Sequence, residues 1–390
     1  MRSAIRVTIA PAALVVAAIA LLLGLHAAGA GFQGDPHAVV RDAAPGGRLW
    51  DVTDRRAPVI GLTLLVWLGA FGLAMAFDRK RAGRAGARLL ALALVYLPLL
   101  CLVAAALEPS VGTERLLVML GSPGLAAVTL ASLGGYRALA FACAATSLAY
   151  AIDLIGGSAL IQLSIVGPNP AGGHRFYGIG NELEACLVVL ILVGTGAAVS
   201  GASRRHPAAF LVVAAIFTFV FAYGRYGADV GAAISLPLGA AVAAALLAGR
   251  QRLALLAFLL PIPALAILSA ADLVTGANAH LTKTVLDAKS GGDVLSVVGH
   301  RLSETVSSFA RPVLVAGLPV VIAAAVLAWL RRDRVAAWLN GLPAMRAGML
   351  GALAATLVGT VANDSGALLL EIGGAYLLVF IGFAWAESRT

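Results

Sequence analysis

The chain has 390 residues, 61% hydrophobic and 12% charged, with a mean hydropathy of +0.94. Soluble domains average about 45–50% apolar and about 25% charged, so composition excludes a water-soluble fold and makes lipid the solvent. The net charge of +9 would suit a nucleic-acid binder, but its distribution along the chain, traced below, excludes that reading.

Apolar windows of about 20 residues mark membrane-spanning helices. They fall near 7–28, 57–77, 88–107, 116–134, 137–156, 181–200, 207–224, 228–248, 253–275, 311–330, 347–362 and 365–386. Segments of alternating polarity are absent, so the expectation is an all-α polytopic bundle of about twelve helices in one transmembrane domain over 1–390, not a barrel. Ser122-Pro123-Gly124 interrupts the fourth window and predicts a kink or a re-entrant turn; the eleventh window is short. Met1–Arg6, an apolar stretch and Ala27-Ala28-Gly29-Ala30 have the parts of a cleaved signal peptide. The stretch is long for one, which favours a retained helix.

Lysine and arginine alternate with the spans as the positive-inside rule requires. With both termini placed in the cytoplasm, the cytoplasmic segments hold 17 bases against three acids, Asp78, Asp333 and Glu387. The positive charge therefore faces anionic lipid and cytoplasm, and needs no nucleic acid. The expected location is a bacterial cytoplasmic membrane. Three outer segments stand out, at 29–56, 157–180 and 276–310. In the last, Val294, Val298, Leu302, Val306 and Phe309 recur at helical spacing, which predicts a helix lying in the outer interface. Cys101, Cys143 and Cys186 sit in apolar runs, too far apart for a metal or redox motif; no metal or cofactor is expected.

The polar residues gather in three short motifs and one loop. The first runs His174-Arg175-Phe176-Tyr177-Gly178-Ile179-Gly180-Asn181-Glu182-Leu183-Glu184, entering the sixth helix. Arg175 offers paired donors for a phosphate or carboxylate, Tyr177 stands beside it, and the helix N-terminus adds backbone N–H groups. Asn181-x-x-Glu184 also reads as a capping-box pattern. The second is Tyr223-Gly224-Arg225-Tyr226-Gly227-Ala228-Asp229-Val230-Gly231, in which Asp229 can cap the eighth helix and Arg225 can bind an anion or snorkel. The third is Asn363-Asp364-Ser365-Gly366, opening the last helix. Glu371 lies about 10 Å further along that helix, and an ionisable group at that depth needs a partner or a wet cavity. The loop 276–310 supplies His300 as a candidate base, with Arg301 as a binding group. Glu182, Asp229, His300 and Glu371 are thus the candidate catalytic groups. Arg175, Tyr177, Asn181, Arg225, Arg301, Asn363 and Asp364 are the candidate substrate-binding groups.

Taken in order, Arg175-Phe176-Tyr177-Gly178-Ile179-Gly180-Asn181-Glu182, Gly227-Ala228-Asp229-Val230-Gly231 and Asn363-Asp364-Ser365-Gly366 resemble the motif series of a widespread, uncharacterised bacterial family of multi-pass membrane proteins. The arginine-glycine-asparagine entrance to an inward-running helix, followed by a later arginine at a helix entrance, is similar to O-antigen ligases and polymerases. That resemblance implies glycan transfer from an undecaprenyl-pyrophosphate donor, with Arg175 and Arg225 on the pyrophosphate and His300 as base. The expected function is therefore an envelope enzyme, a glycosyl- or phospho-transferase acting on a lipid-linked, polyprenyl-phosphate or glycan-type substrate at the outer face. The alternatives are a secondary carrier, which intramembrane acids suit, and a non-catalytic assembly scaffold. Membrane lipid and an anionic, lipid-linked substrate are the expected partners.

The topology predicts which introduced thiols an impermeant reagent reaches in intact cells. Pro45→Cys, Pro170→Cys, Tyr226→Cys, Ser290→Cys and Asp364→Cys should label. Gly83→Cys, Ser203→Cys, Gln251→Cys and Asp333→Cys should label only after lysis; reversal at two sites would overturn the arrangement.

Overall fold

The computed structural model describes residues 55–107, 109–167, 178–200, 206–224, 226–275, 299, 303–311 and 316–388. Among the described residues the regular structure is entirely helical. Nine of these helices are long and apolar enough to cross a membrane, and two shorter apolar ones, Pro207–Ala222 and Leu318–Leu330, stand where two further spans were expected. The first expected span, 7–28, lies outside the described residues. The eleventh runs over Pro343–Ala362 and is full length, because it starts at a proline in its first turn and carries Arg346 one turn in.

The chain divides into two compact units, Met1–Tyr177 with Val379–Thr390, and Gly178–Leu378. The first contains α1 (Pro58–Phe77), α2 (Ala82–Leu107), α3 (Val111–Leu133), α4 (Gly135–Ile155) and the short α5 (Ala159–Leu163). Helix α2 is its centre, with Leu92, Tyr96, Leu99 and Leu102 fully buried. Proline inside a helix removes a backbone donor, and lipid supplies no replacement. Around Pro98 in α2, hydroxyls from α4 bond the backbone: Thr146 donates to the Val95 carbonyl at 3.0 Å and Tyr150 to the Pro98 carbonyl at 2.8 Å. In α3 the expected interruption becomes a wide π turn over Leu117–Gly121, after which the helix continues through Pro123. Pro123 has no N–H for the Met119 carbonyl four residues earlier; the Trp67 indole of α1 donates to that oxygen at 2.9 Å.

The segment expected as the start of an outer loop folds inward instead. Gly157 and Ser158 turn with positive φ, and α5 is buried along its whole length. Asp153 at the end of α4 accepts the N–H groups of Leu160 and Ile161, at 3.1 and 2.9 Å, which satisfies the otherwise unpaired start of α5. At the opposite end of this unit, Arg84 and Arg88 of α2 donate to the carbonyls of Ser388 and Ala386 at 2.8 Å. Arg88 also pairs with Glu387 at 2.6 Å. Cations on a helix C-terminus complement its unpaired carbonyls and dipole.

The second unit contains α6 (Asn181–Ser200), α7 (Pro207–Ala222), α8 (Val230–Leu247), α9 (Gln251–Leu256), α10 (Pro261–Thr275), α11 (Leu318–Leu330), α12 (Arg332–Trp338) and α13 (Pro343–Ala362). It also holds α14 (Gly366–Glu387) up to Leu378. Lipid is as apolar as leucine, so helices in it associate through close backbone approach at small residues. Helix α13 is built for this: a Cβ on Gly239 of α8 would lie 2.7 Å from the Gly351 carbonyl, and one on Gly348 would lie 2.6 Å from the Leu192 carbonyl of α6. Large apolar side chains such as Ile262, Val320 and Trp329 remain exposed on the periphery, as a lipid solvent permits.

Gly239→Val and Gly348→Val should each destabilise the detergent-solubilised protein by about 1–3 kcal/mol or more through overpacking. Gly69→Ala and Gly72→Ala, whose added Cβ would meet nothing within 4 Å, should be near neutral or slightly stabilising. Thermal melts of the four variants check this.

Candidate functional site

The three polar motifs meet at one end of the second unit, where α6, α8 and α14 begin and α13 ends. Glycines make the approach possible. Gly178 has φ +85°, and a Cβ there would lie 2.8 Å from the Gly227 carbonyl carbon; the Ile179 N–H donates to the Gly227 oxygen at 3.0 Å. The first motif is thereby joined to the second through the backbone. A Cβ on Gly231 would stand 2.6 Å from Glu184 Oε2, 2.8 Å from Asn363 Nδ2 and 3.1 Å from Asp229 Oδ1, so only glycine admits all three motifs there.

Glu184 is the hub. It is 1% exposed, accepts the Ser235 hydroxyl of α8 on Oε1 at 2.8 Å and accepts Asn363 Nδ2 on Oε2 at 3.1 Å. Beyond its place in the expected capping-box pattern, its carboxylate reaches two other elements. Asn363 Nδ2 also lies 3.3 Å from Asn181 Oδ1, and Asn181 Nδ2 donates to Asp364 Oδ1 at 3.0 Å. Asp229 is 2% exposed and caps α8, accepting the N–H groups of Gly231 and Ala232 at 2.7 and 3.2 Å. Its capping role and its place beside Glu184 coexist.

The helical stretch 303–308 covers this end. Thr305 donates to the Asn363 carbonyl at 2.7 Å, Ser308 donates to the Thr305 carbonyl at 2.6 Å, and the Ala367 N–H donates to Ser308 Oγ at 3.0 Å. Thr305 and Ser308 are buried while Val306 and Phe309 are exposed. Of the apolar positions expected to recur over 294–309, Val306 and Phe309 are thus exposed, while Val294, Val298 and Leu302 lie outside the described residues.

Of the expected site residues, Asn181, Asp229, Asn363 and Asp364 come together. Glu182 is half-buried on the first turn of α6 beside Asn181 in the chain. Glu371 takes a different partner: its Oε1 accepts the Gly317 N–H at 3.2 Å, where α11 begins. Arg175, Tyr177, Arg225, His300 and Arg301 lie outside the described residues. Ser235, Thr305 and Ser308 were not anticipated; a single hydroxyl in an apolar helix carries no signal of what it will face. No metal-binding group of three or more His, Cys, Asp or Glu is found among the described residues. Comparison with protein-family models, with curated proteins and with solved structures gives no match.

Glu184→Ala leaves the Ser235 hydroxyl and the Asn363 amide without their shared acceptor and should cost about 1–3 kcal/mol. Ser235→Ala should cost less, and the double variant less than the sum, because both remove one interaction. Melting temperatures of the three variants test the coupling; strict additivity would show that the bond contributes nothing.

Proposed function

We propose that this integral membrane protein is an envelope enzyme, a glycosyl- or phospho-transferase whose lipid-linked, polyprenyl-phosphate-type substrate meets the end of the bundle formed by the three motifs. The observation that supports it is the convergence itself: lone helix caps need not meet, whereas Asn181, Glu184, Asn363 and Asp364 form one hydrogen-bonded group with Asp229 beside it. On this reading Asp229 or Glu182 acts on the acceptor's proton. Asn181 and Asp364, both half-buried, meet the substrate's hydroxyls, and Arg225, four residues before Asp229 in the sequence, binds its phosphate. The distribution of 17 bases against three acids supports a cytoplasmic membrane with this end facing outward. A buried carboxylate in a span would also suit a carrier, and the assay below separates the two.

In the purified protein supplied with a polyprenyl-pyrophosphate-linked glycan, Arg225→Lys should lower turnover by about tenfold or more. Expression and melting temperature should stay near those of the unsubstituted protein, because lysine keeps the charge but not the paired donors. Solute flux in proteoliposomes without any consumption of lipid-linked donor would replace the enzyme reading with the carrier.

A further inference from the structure

The hydrogen bonds that start at Glu184 have a direction. An ionised carboxylate offers only acceptors, whereas an asparagine amide carries donors on its nitrogen and an acceptor on its oxygen. Ser235 donates to Glu184 Oε1 at 2.8 Å and Asn363 Nδ2 to Oε2 at 3.1 Å, so both carboxylate oxygens accept. Asn363 must turn its nitrogen to Glu184. Its oxygen accepts the Ser365 N–H at 3.3 Å, which holds the same orientation from the other side. Asn363 Nδ2 also donates to Asn181 Oδ1 at 3.3 Å, and this leaves Asn181 Nδ2 to donate to Asp364 Oδ1 at 3.0 Å. The relay runs from the interior outward. Glu184 is 1% and Asn363 7% exposed, while Asn181 and Asp364 are half-buried.

We propose that Glu184 is a positioning residue: through Asn363 it fixes which way the Asn181 amide points, so that nitrogen and not oxygen meets Asp364. With nitrogen there, Asp364 stands as an acceptor, the form that takes a hydrogen bond from a substrate hydroxyl. With oxygen there, two acceptors would face each other. The effect on turnover rests on the enzyme reading; the orientation belongs to the fold and does not.

The test reverses the relay in the full chain in detergent. Glu184→Gln can still present its oxygen to Asn363 and its nitrogen to the Ser235 hydroxyl. It should melt near the unsubstituted protein and lower turnover far less than Glu184→Ala. In the double variant Glu184→Gln with Asn363→Asp, the new carboxylate needs donors on both sides. Asn181 must then turn its nitrogen inward and its oxygen to Asp364, and the melting temperature should fall by about 3 °C or more. Adding Asp364→Asn supplies a donor for that oxygen. It should raise the melting temperature of the double variant but not that of the unsubstituted protein. An equal effect of Asp364→Asn in both backgrounds overturns the proposal. So does a Glu184→Gln protein as unstable as Glu184→Ala, because the charge itself would then be what the fold requires. With the polyprenyl-pyrophosphate-linked glycan, the triple variant, bonded throughout but reversed, should lose about tenfold or more in kcat with a smaller change in KM. Turnover unchanged in the triple variant overturns the positioning role. The melting pattern above, with no donor consumed by the unsubstituted protein, supports the orientation and overturns the enzyme reading alone.

Discussion

A carboxylate inside a membrane span costs several kcal/mol unless its oxygens are met by donors or water, and Glu184 is such a group, 1% exposed on the first turn of α6. Its two oxygens take one donor from α8, Ser235, and one from the turn before α14, Asn363. That requirement fixes which helix ends must come together. It also explains the glycines: Gly231 leaves the space the carboxylate occupies, and Gly178 lets the entering strand of chain lie on Gly227. Asn181, Asp364 and Asp229 are brought beside one another as a consequence, so the candidate site and the packing of the second unit have one physical cause.

The same accounting of polar groups runs through the rest of the molecule. Where Pro123 removes a backbone donor, the Trp67 indole of a neighbouring helix bonds the freed Met119 carbonyl, and near Pro98 the hydroxyls of Thr146 and Tyr150 bond the Val95 and Pro98 carbonyls. Where short helices start inside the protein, an acid meets their free N–H groups, as Asp153 does for α5. Glu371 does the same for α11 at Gly317. Apolar surface follows the opposite rule. Val306 and Phe309 are exposed while Thr305 and Ser308 are buried in the same stretch, because lipid accepts the former and only protein can satisfy the latter.

Close helix packing supplies what the hydrophobic effect cannot in lipid. The contacts of α13 through Gly348 and Gly351 bring its backbone against α6 and α8, and the resulting dispersion and weak polar contacts hold these helices together. This framework positions Asn363, the residue that links the hub carboxylate to Asn181.

The spans, the all-helical class and the three motifs were legible in the chain because each depends on local pattern: the length of an apolar run, or a polar cluster at its edge. The boundaries of α6, α8 and α14 fell within two residues of those read from hydropathy. The inward fold of 158–167 was not legible, since glycine and serine with positive φ serve an exposed loop and a buried turn equally well. Glu184 read as a cap because three-residue spacing within one helix is visible in sequence, whereas a bond to Ser235, 51 residues away, is not. By itself the sequence determined that lipid is the solvent, where the helices run and which polar residues each helix end presents. Only the tertiary structure decided that those ends share one network with Glu184 at its centre, and that Glu371 serves another helix. Pairing between distant segments is set by which donors and small residues reach the same depth in the bundle, and no local spacing encodes that depth.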